Sequence, residues 1–295
     1  NIVPRHGPGV VSTGEQFQAK FSWTDIPDKI AELYPIDSYF YASMNATCDL
    51  SQEIQSLGSQ SHPARVILVP KDSRGPRLIS AEPLVNQWIQ QGLMRRIVPH
   101  VERHHLTRCR VNFTDQGPNQ RAALIGSRDG RYSTLDLNEA SDRVSLGLVR
   151  LLFPANLVEV LEAVRSSSTK LPDGSILALH KHAPMGSALC FPILALCVYA
   201  ILYAAAPDAD TRERILVYGD DVIVPRTYVP DAIEQLTWFG LKINLSKSCT
   251  GGLFRESCGM DAFLGQSVTP TRINVLPSSR PRPDHYEAWI SYANS

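Results

Sequence analysis

Arg214-Ile-Leu-Val-Tyr-Gly-Asp-Asp-Val-Ile-Val-Pro225 is the stretch on which the reading of this chain turns. Apolar, mostly β-branched residues run up to Gly219 and resume after Asp221, which predicts a tight β-hairpin carrying Asp220 and Asp221 at its tip. Two adjacent carboxylates repel each other unless a cation sits beside them. Magnesium is the natural choice, because it takes carboxylate and phosphate oxygens together. An ordinary hairpin with a polar Gly-Asp turn is the alternative reading of the four residues Tyr218–Asp221, so the surrounding chain has to decide.

The 295 residues are 43% hydrophobic and 20% charged, enough for one large domain or two modest ones. A net charge of zero singles out no partner, but the charges are uneven. Between Ala64 and Arg110 nine Lys and Arg face only Asp72, Glu82 and Glu102, the footprint of a polyanion-binding surface or of a solvated basic face. Six cysteines without a C-x-x-C pair suggest a reducing, intracellular setting. The histidines of His104-His105 and of His180-x-His182 lack partners at zinc spacing. Residues 183–207 carry no charge, yet Pro184, Gly186 and Pro192 break the run. The expectation is a buried helix from Ile193 to Ala206 and no membrane span.

Taken in order, Ala64–Pro70 and Arg77–Ser80 read as a basic hairpin, and Glu82-Pro83 opens a helix to about Arg96. Tyr132–Leu137 reads as a strand. A helix with Val144, Leu148, Leu151 and Leu152 on one face follows, then a second from Leu157 to Arg165. Beyond the buried helix and the Asp-Asp hairpin come a helix begun at Pro230-Asp231 and closed at Gly240, and a strand from Leu241 to Leu245. Strand, helices, buried helix, hairpin, helix, strand is close to a ferredoxin-like α+β unit, an antiparallel sheet backed by helices on one face. That order brings Asp136 to the same sheet edge as Asp220 and Asp221.

Two divalent ions about 4 Å apart clamp the attacking and leaving oxygens of an in-line phosphoryl displacement. Carboxylates from more than one strand must hold them, and Asp136, Asp220 and Asp221 qualify. Asp142 is placed either to bond a ribose hydroxyl or to serve as an acid favoured by a helix N-terminus. Lys71, Arg74 and Arg77 form a cation cluster suited to a triphosphate. Lys247 is a candidate proton donor to departing pyrophosphate, or a plain surface lysine.

These residues together resemble the palm of a right-handed, template-dependent RNA polymerase, most closely the replicase catalytic subunit of the RNA bacteriophages, the leviviruses. The resemblance rests on Val69-Pro-Lys71 with Arg77, Ile79-Ser-Ala-Glu-Pro83, Thr134-Leu-Asp-Leu with Ala140-Ser-Asp142, Leu171-Pro-Asp-Gly-Ser175, Met185-Gly186, Tyr218-Gly-Asp-Asp221 and Phe254-Arg-Glu-Ser-Cys-Gly259. It implies motif A at Asp136 and Asp142, motif B at Met185-Gly186-Ser187 and motif C at Tyr218–Asp221. In that reading Ser187 joins Asp142 at the ribose, and Gly186 lets the backbone approach template or primer. The wider polymerase class carries Ser or Thr before the motif B glycine and Asn further along the helix, where this chain has Met185 and Leu194.

The fold expected is thus α+β, a right-hand palm with partial fingers and most of the thumb missing. Residues 1–130 are expected to be partial fingers carrying a nucleotide-binding hairpin at 64–80. Residues 131–275 are the expected palm, with a fingers insertion near 160–185, and 276–295 a tail or the start of a thumb. The expected activity is RNA synthesis from ribonucleoside triphosphates on an RNA template, with two Mg2+ (or Mn2+ in their place). The resemblance further implies the cytoplasm of an infected bacterium and host translation proteins as partners. The rivals are a reverse transcriptase, against which the absence of an aromatic residue in Leu137-Asn-Glu-Ala140 counts, and a catalytically silent RNA-binding module.

Overall fold

The basic hairpin forms from β1 (Ala64–Asp72) and β2 (Gly75–Ala81), antiparallel with Arg65 opposite Ala81 and Val69 opposite Arg77. The computed structural model describes residues 2–41, 44–72, 75–271, 275, 280 and 282–294, so Arg74, expected at the triphosphate, lies outside the described residues. Helix α1 (Leu84–Arg103) follows. It runs about two turns beyond the expected end at Arg96 and passes through Pro99, which has no N–H to offer the carbonyl one turn back. Helix α2 (Gly117–Asp129) has no counterpart in the sequence reading. Its buried face is Asn119, Ala122, Ala123, Gly126 and Ser127, small or polar residues that give no hydrophobic period. They are small because the helix lies close against the next strand. A Cβ on Gly126 would come within 2.8 Å of the Tyr132 carbonyl oxygen.

Strand β3 (Tyr132–Leu135) is interrupted at Asp136 and resumes as β4 (Leu137–Asn138), where one strand was expected. After it come α3 (Leu146–Leu152), α4 (Ala155–Val164), the hairpin of β5 (Ser168–Lys170) and β6 (Ile176–Ala178), and α5 (Cys190–Ala205). Leu151, expected on the buried face of α3, is exposed. Helix α5 is the apolar run, and Ile193, Ala195, Cys197, Val198 and Leu202 on it are fully buried. Among the described residues no helix is long and apolar enough to cross a membrane.

The Asp-Asp hairpin is β7 (Leu216–Tyr218) and β8 (Asp221–Pro225), followed by α6 (Val229–Trp238) and β9 (Lys242–Ile243). The sheet order is β3–β8–β7, all antiparallel, while β9 pairs with β4 beyond Asp136. Cys249 bonds Thr134 through both main-chain groups on the same outer edge of β3. The expected α+β unit is therefore present, with two differences. Helices α5 and α6 cover one face, but α2 covers the other, and the last strand is only two residues long.

A second antiparallel sheet, β10 (Phe254–Ser257), β11 (Met260–Phe263) and β12 (Gln266–Ser267), packs on α2. Arg255 fastens it. The side chain is fully buried and donates to the carbonyls of Tyr132, Gly251, Gly252 and Phe254. A buried guanidinium is tolerated where carbonyl oxygens surround it in this way. Helix α7 (Pro283–Ala293) ends the chain.

Candidate active site

Tyr218 pairs with Asp221, which leaves Gly219 and Asp220 as a two-residue turn. Gly219 alone of the pair has positive φ (+65°), as in turns of type II′. A side chain there is doubly excluded, since a Cβ would run into the ring of Phe191 on the first turn of α5. Phe191 also packs edge-on against Tyr218, with ring centroids 5.3 Å apart at 70°. The buried helix thus seats the hairpin tip.

Pairing of Leu135 with Val222 carries Asp136 to the level of Asp221, as the sequence order implied. Asp136 is held on three sides. Its N–H donates to Ser248 Oγ (3.1 Å), its carbonyl accepts from the Asn244 N–H (2.8 Å), and its Oδ2 accepts from Asn244 Nδ2 (2.7 Å). Loss of water pushes the Asp220 carboxyl above its ordinary range, and the Asp136 charge adds to the rise. Arg77 and Lys247 work against it. Asp221 is pushed up to about 6 by burial, then by the charges of Glu256 and Asp220, with the Cys258 N–H as partial relief. Glu256, on β10, is raised by burial and by Asp261 and Asp136. Asp136, Asp220, Asp221 and Glu256 are thus linked electrostatically at the end of the sheet.

The expected cations divide. Arg77 and Lys247 act on Asp220, whereas the Lys71 side chain and Arg74 lie outside the described part. Asp142 is exposed and accepts an ion-paired hydrogen bond from Lys181. Both open on a pocket of about 360 Å3 completed by Leu78, Ser80, Thr169 and Met185. The motif B residues make contacts within the chain itself. Ser187 is buried and its hydroxyl donates to Gln90 Oε1 on α1 (3.0 Å), so it turns inward. Gly186 has φ +124°, and the backbone it approaches is that of this chain, because a Cβ would collide with the Ser80 carbonyl. The Ser80 N–H donates to the Met185 carbonyl at 2.7 Å, which ties the basic hairpin to the entrance of α5.

A family model described as RNA replicase, beta-chain, matches residues 37–276 and so contains every residue of this site. The chain belongs to that replicase family. It is 36% identical over 208 residues to the RNA-directed RNA polymerase subunit beta of Escherichia virus Qbeta, covering 70% of this chain and 34% of that one. It is 35% identical over 205 residues to the RNA-directed RNA polymerase beta chain of Escherichia phage MS2, covering 70% and 36%. The chain therefore spans about a third of the length of these relatives. A telomerase of Candida tropicalis, solved with a fragment of telomeric RNA, aligns with a TM-score of 0.51 at 14% identity over 86% of this chain and 53% of that one. That likeness is one of fold.

Within the replicase-family site, Asn244, Ser248 and Lys181 carried no signal in the sequence, and Glu256 stood in the Phe254–Gly259 stretch without a role. Glu256 lies 35 residues beyond Asp221, and only the second sheet turns it back to the centre. Asn244 and Ser248 read as strand end and loop. Lys181 was one more base beside two histidines, and its pairing with Asp142 spans 39 residues.

The donor set is all oxygen, which suits a hard cation such as Mg2+, and the elevation of Asp220, Asp221 and Glu256 by burial and by neighbouring carboxylates is what a divalent charge would relieve. Among the described residues no three carboxylate, His or Cys groups stand together so as to hold a metal ion by themselves. Mg2+ in nucleotide-handling sites is usually held by one or two carboxylates with substrate phosphates and water, so the arrangement fits. On the side of Lys247 and Glu256 a cavity of about 990 Å3 opens, bounded also by Phe254, Asp261, Thr269 and, from α7, Tyr292. Neither Asp136 nor Asp220 lines it.

Proposed function

We propose that this chain carries the catalytic centre of an RNA-directed RNA polymerase that joins ribonucleoside triphosphates on an RNA template. The observation that carries the reading is the electrostatics of the hairpin tip, where Asp220 is crowded by Asp136 and faced by Arg77 and Lys247. Carboxylates for cations beside bases for phosphates are the two halves a phosphoryl-transfer site needs. Family membership supports the same reaction.

On this reading β3, β4, β7, β8 and β9 with α5 and α6 form the palm. Residues 1–130 and the 160–185 segment belong to the fingers, and 276–295 start a thumb or form a tail. Asp136, Asp220 and Asp221 are the residues that would hold two Mg2+, or Mn2+. Bound there, the ions would supply charge neutralisation and activation of the attacking hydroxyl. Arg77, with Lys71 and Arg74, draws in the triphosphate. Lys247 gives a proton to departing pyrophosphate. Asn244 and Ser248 fix Asp136 so that its carboxylate does not have to reorganise during the reaction. Asp142, held by Lys181 over the 360 Å3 pocket, accepts a hydrogen bond from the ribose 2′-hydroxyl. Ser187 and Gly186 act at one remove, bracing α1 and the basic hairpin against α5.

The partners are RNA template, nascent RNA and nucleoside triphosphates. The phage origin of the relatives supports a bacterial cytoplasm as the setting and host translation proteins as companions. The test is incorporation of labelled nucleotide by this chain with Mg2+, with and without RNA template and with ribo- or deoxyribonucleotides. Template-dependent use of ribonucleotides is expected. Preference for deoxyribonucleotides would point to reverse transcription, and RNA binding without incorporation to a silent binding module.

A further inference from the structure

The positive excess of residues 64–110 does not form one surface. Arg77 faces Asp220, but Arg95, Arg96, Pro99, His100, Arg103 and His104 line a separate groove of about 370 Å3 on the last turns of α1. It lies about 15–30 Å along α1 from the junction with the basic hairpin. Arg95, Arg96 and Arg103 are exposed, and among the described residues no acid lines the groove. Glu102, the nearest carboxylate in sequence, is turned away and accepts from the Phe113 and Thr114 N–H groups and the Thr114 hydroxyl. Beside the arginines the rings of His100, His104 and His105 form a row, with centroids 5.6 Å and 4.3 Å apart.

From these we infer that the far end of α1 is a second contact for single-stranded RNA, distinct from the acidic centre. Uncompensated charge in a groove is complementary to phosphate, and a row of flat rings beside it gives bases a surface to stack on. Arg95 and Arg103 are about two helical turns apart, roughly 12 Å, which matches about two or three backbone phosphates. Arginine suits such a site because its planar fork grips phosphate oxygens in pairs. The contact rests on the RNA-binding part of the proposed function, and its role is to hold the strand away from the centre while chemistry proceeds there.

The test is fluorescence anisotropy of a labelled single-stranded RNA of about 20 nucleotides over a salt series, using the whole chain. An R95Q/R96Q/R103Q variant, altered only at exposed positions, should bind about tenfold or more weakly, with a log–log salt slope shallower by about 2. H100A/H104A should weaken binding about fivefold and leave the salt slope unchanged, since stacking releases no counterions. Wild-type affinity and slope in the arginine variant, with its thermal melt intact, would overturn the inference and leave the groove to a different partner. Incorporation on a template too short to reach from the centre to α1 should be unaffected by either variant. If the wild type binds but does not polymerise and the arginine variant still loses affinity, the groove stands and the polymerase reading fails. If wild type polymerises and the variant binds normally, the reverse holds.

Discussion

Asp220 and Asp221 place two charges where burial and neighbouring carboxylates already resist them. Such a site costs stability in the absence of a cation. Asp221→Asn should therefore raise the stability of the chain in chelator by about 0.5–2 kcal/mol, measured by urea denaturation. With Mg2+ in excess the order should invert, because the wild type, with one more carboxylate, gains more from the ion. Lys181 gives a second prediction at this scale. Its ammonium fixes the exposed Asp142 carboxylate, so Lys181→Met should reduce discrimination between ribo- and deoxyribonucleotides about tenfold, seen as a ratio of kcat/KM values. Lys181→Arg should retain most of it. Unchanged discrimination in Lys181→Met would remove Asp142 and Lys181 from sugar recognition.

Among the elements, the hairpin and the buried helix act as one piece through Gly219 and Phe191. Gly219→Ala must place a side chain at φ +65° and push into the Phe191 ring. The backbone alone costs about 1–2 kcal/mol, and the collision adds to it. Adding Phe191→Ala should lessen the effect of Gly219→Ala in a double-mutant cycle; strict additivity would show that the ring does not seat the turn. The hairpin was legible in the sequence because strand propensity and turn chemistry agree there. The buried helix was legible because 16 residues, Cys190–Ala205, hold no charge. Helix α2 was not, since a face of Asn119, Ala122, Ala123, Gly126 and Ser127 is chosen for closeness to β3, and closeness leaves no hydrophobic stripe. The break at Asp136 and the long reach of α1 past Pro99 are likewise tertiary outcomes. Asp136, Asp220 and Asp221 could be grouped from strand order alone, whereas Glu256 and Lys181 come to the site through sheets and ion pairs between distant segments. The bond from the Ser187 hydroxyl to Gln90 was not legible, because a motif position says which turn a residue occupies but not which way its hydroxyl points.

For the molecule as a whole, Glu82 ties the basic hairpin to the 165–182 segment. It is fully buried, accepts a hydrogen bond from Ser166, and is pushed up to about 7, chiefly by burial. The folded chain keeps that proton at pH values where the unfolded chain has released it, so stability falls as pH rises from about 4.5 to 7. His6 and His182 pull the other way. Both are lowered to about 4 by burial, the unfolded chain binds more protons between about 4 and 6.5, and stability there rises with pH. The loss that remains around neutrality belongs chiefly to Glu82, with Asp221, raised to about 6, adding to its lower end. Between about pH 6 and 7.5 the urea midpoint of wild type should drop more than that of Glu82→Gln. Parallel curves would mean that Glu82 ionises without penalty.

The account as a whole depends on Asp220 being where the chemistry occurs. The direct measurement is ribonucleotide incorporation on an RNA template in Mg2+ by wild type and Asp220→Asn, with RNA affinity measured on both. The account predicts that the variant binds RNA as wild type does and loses activity by about a thousandfold or more, the scale of losing a principal electrostatic contributor to catalysis. Incorporation by Asp220→Asn at the wild-type rate would contradict it and place the reaction elsewhere.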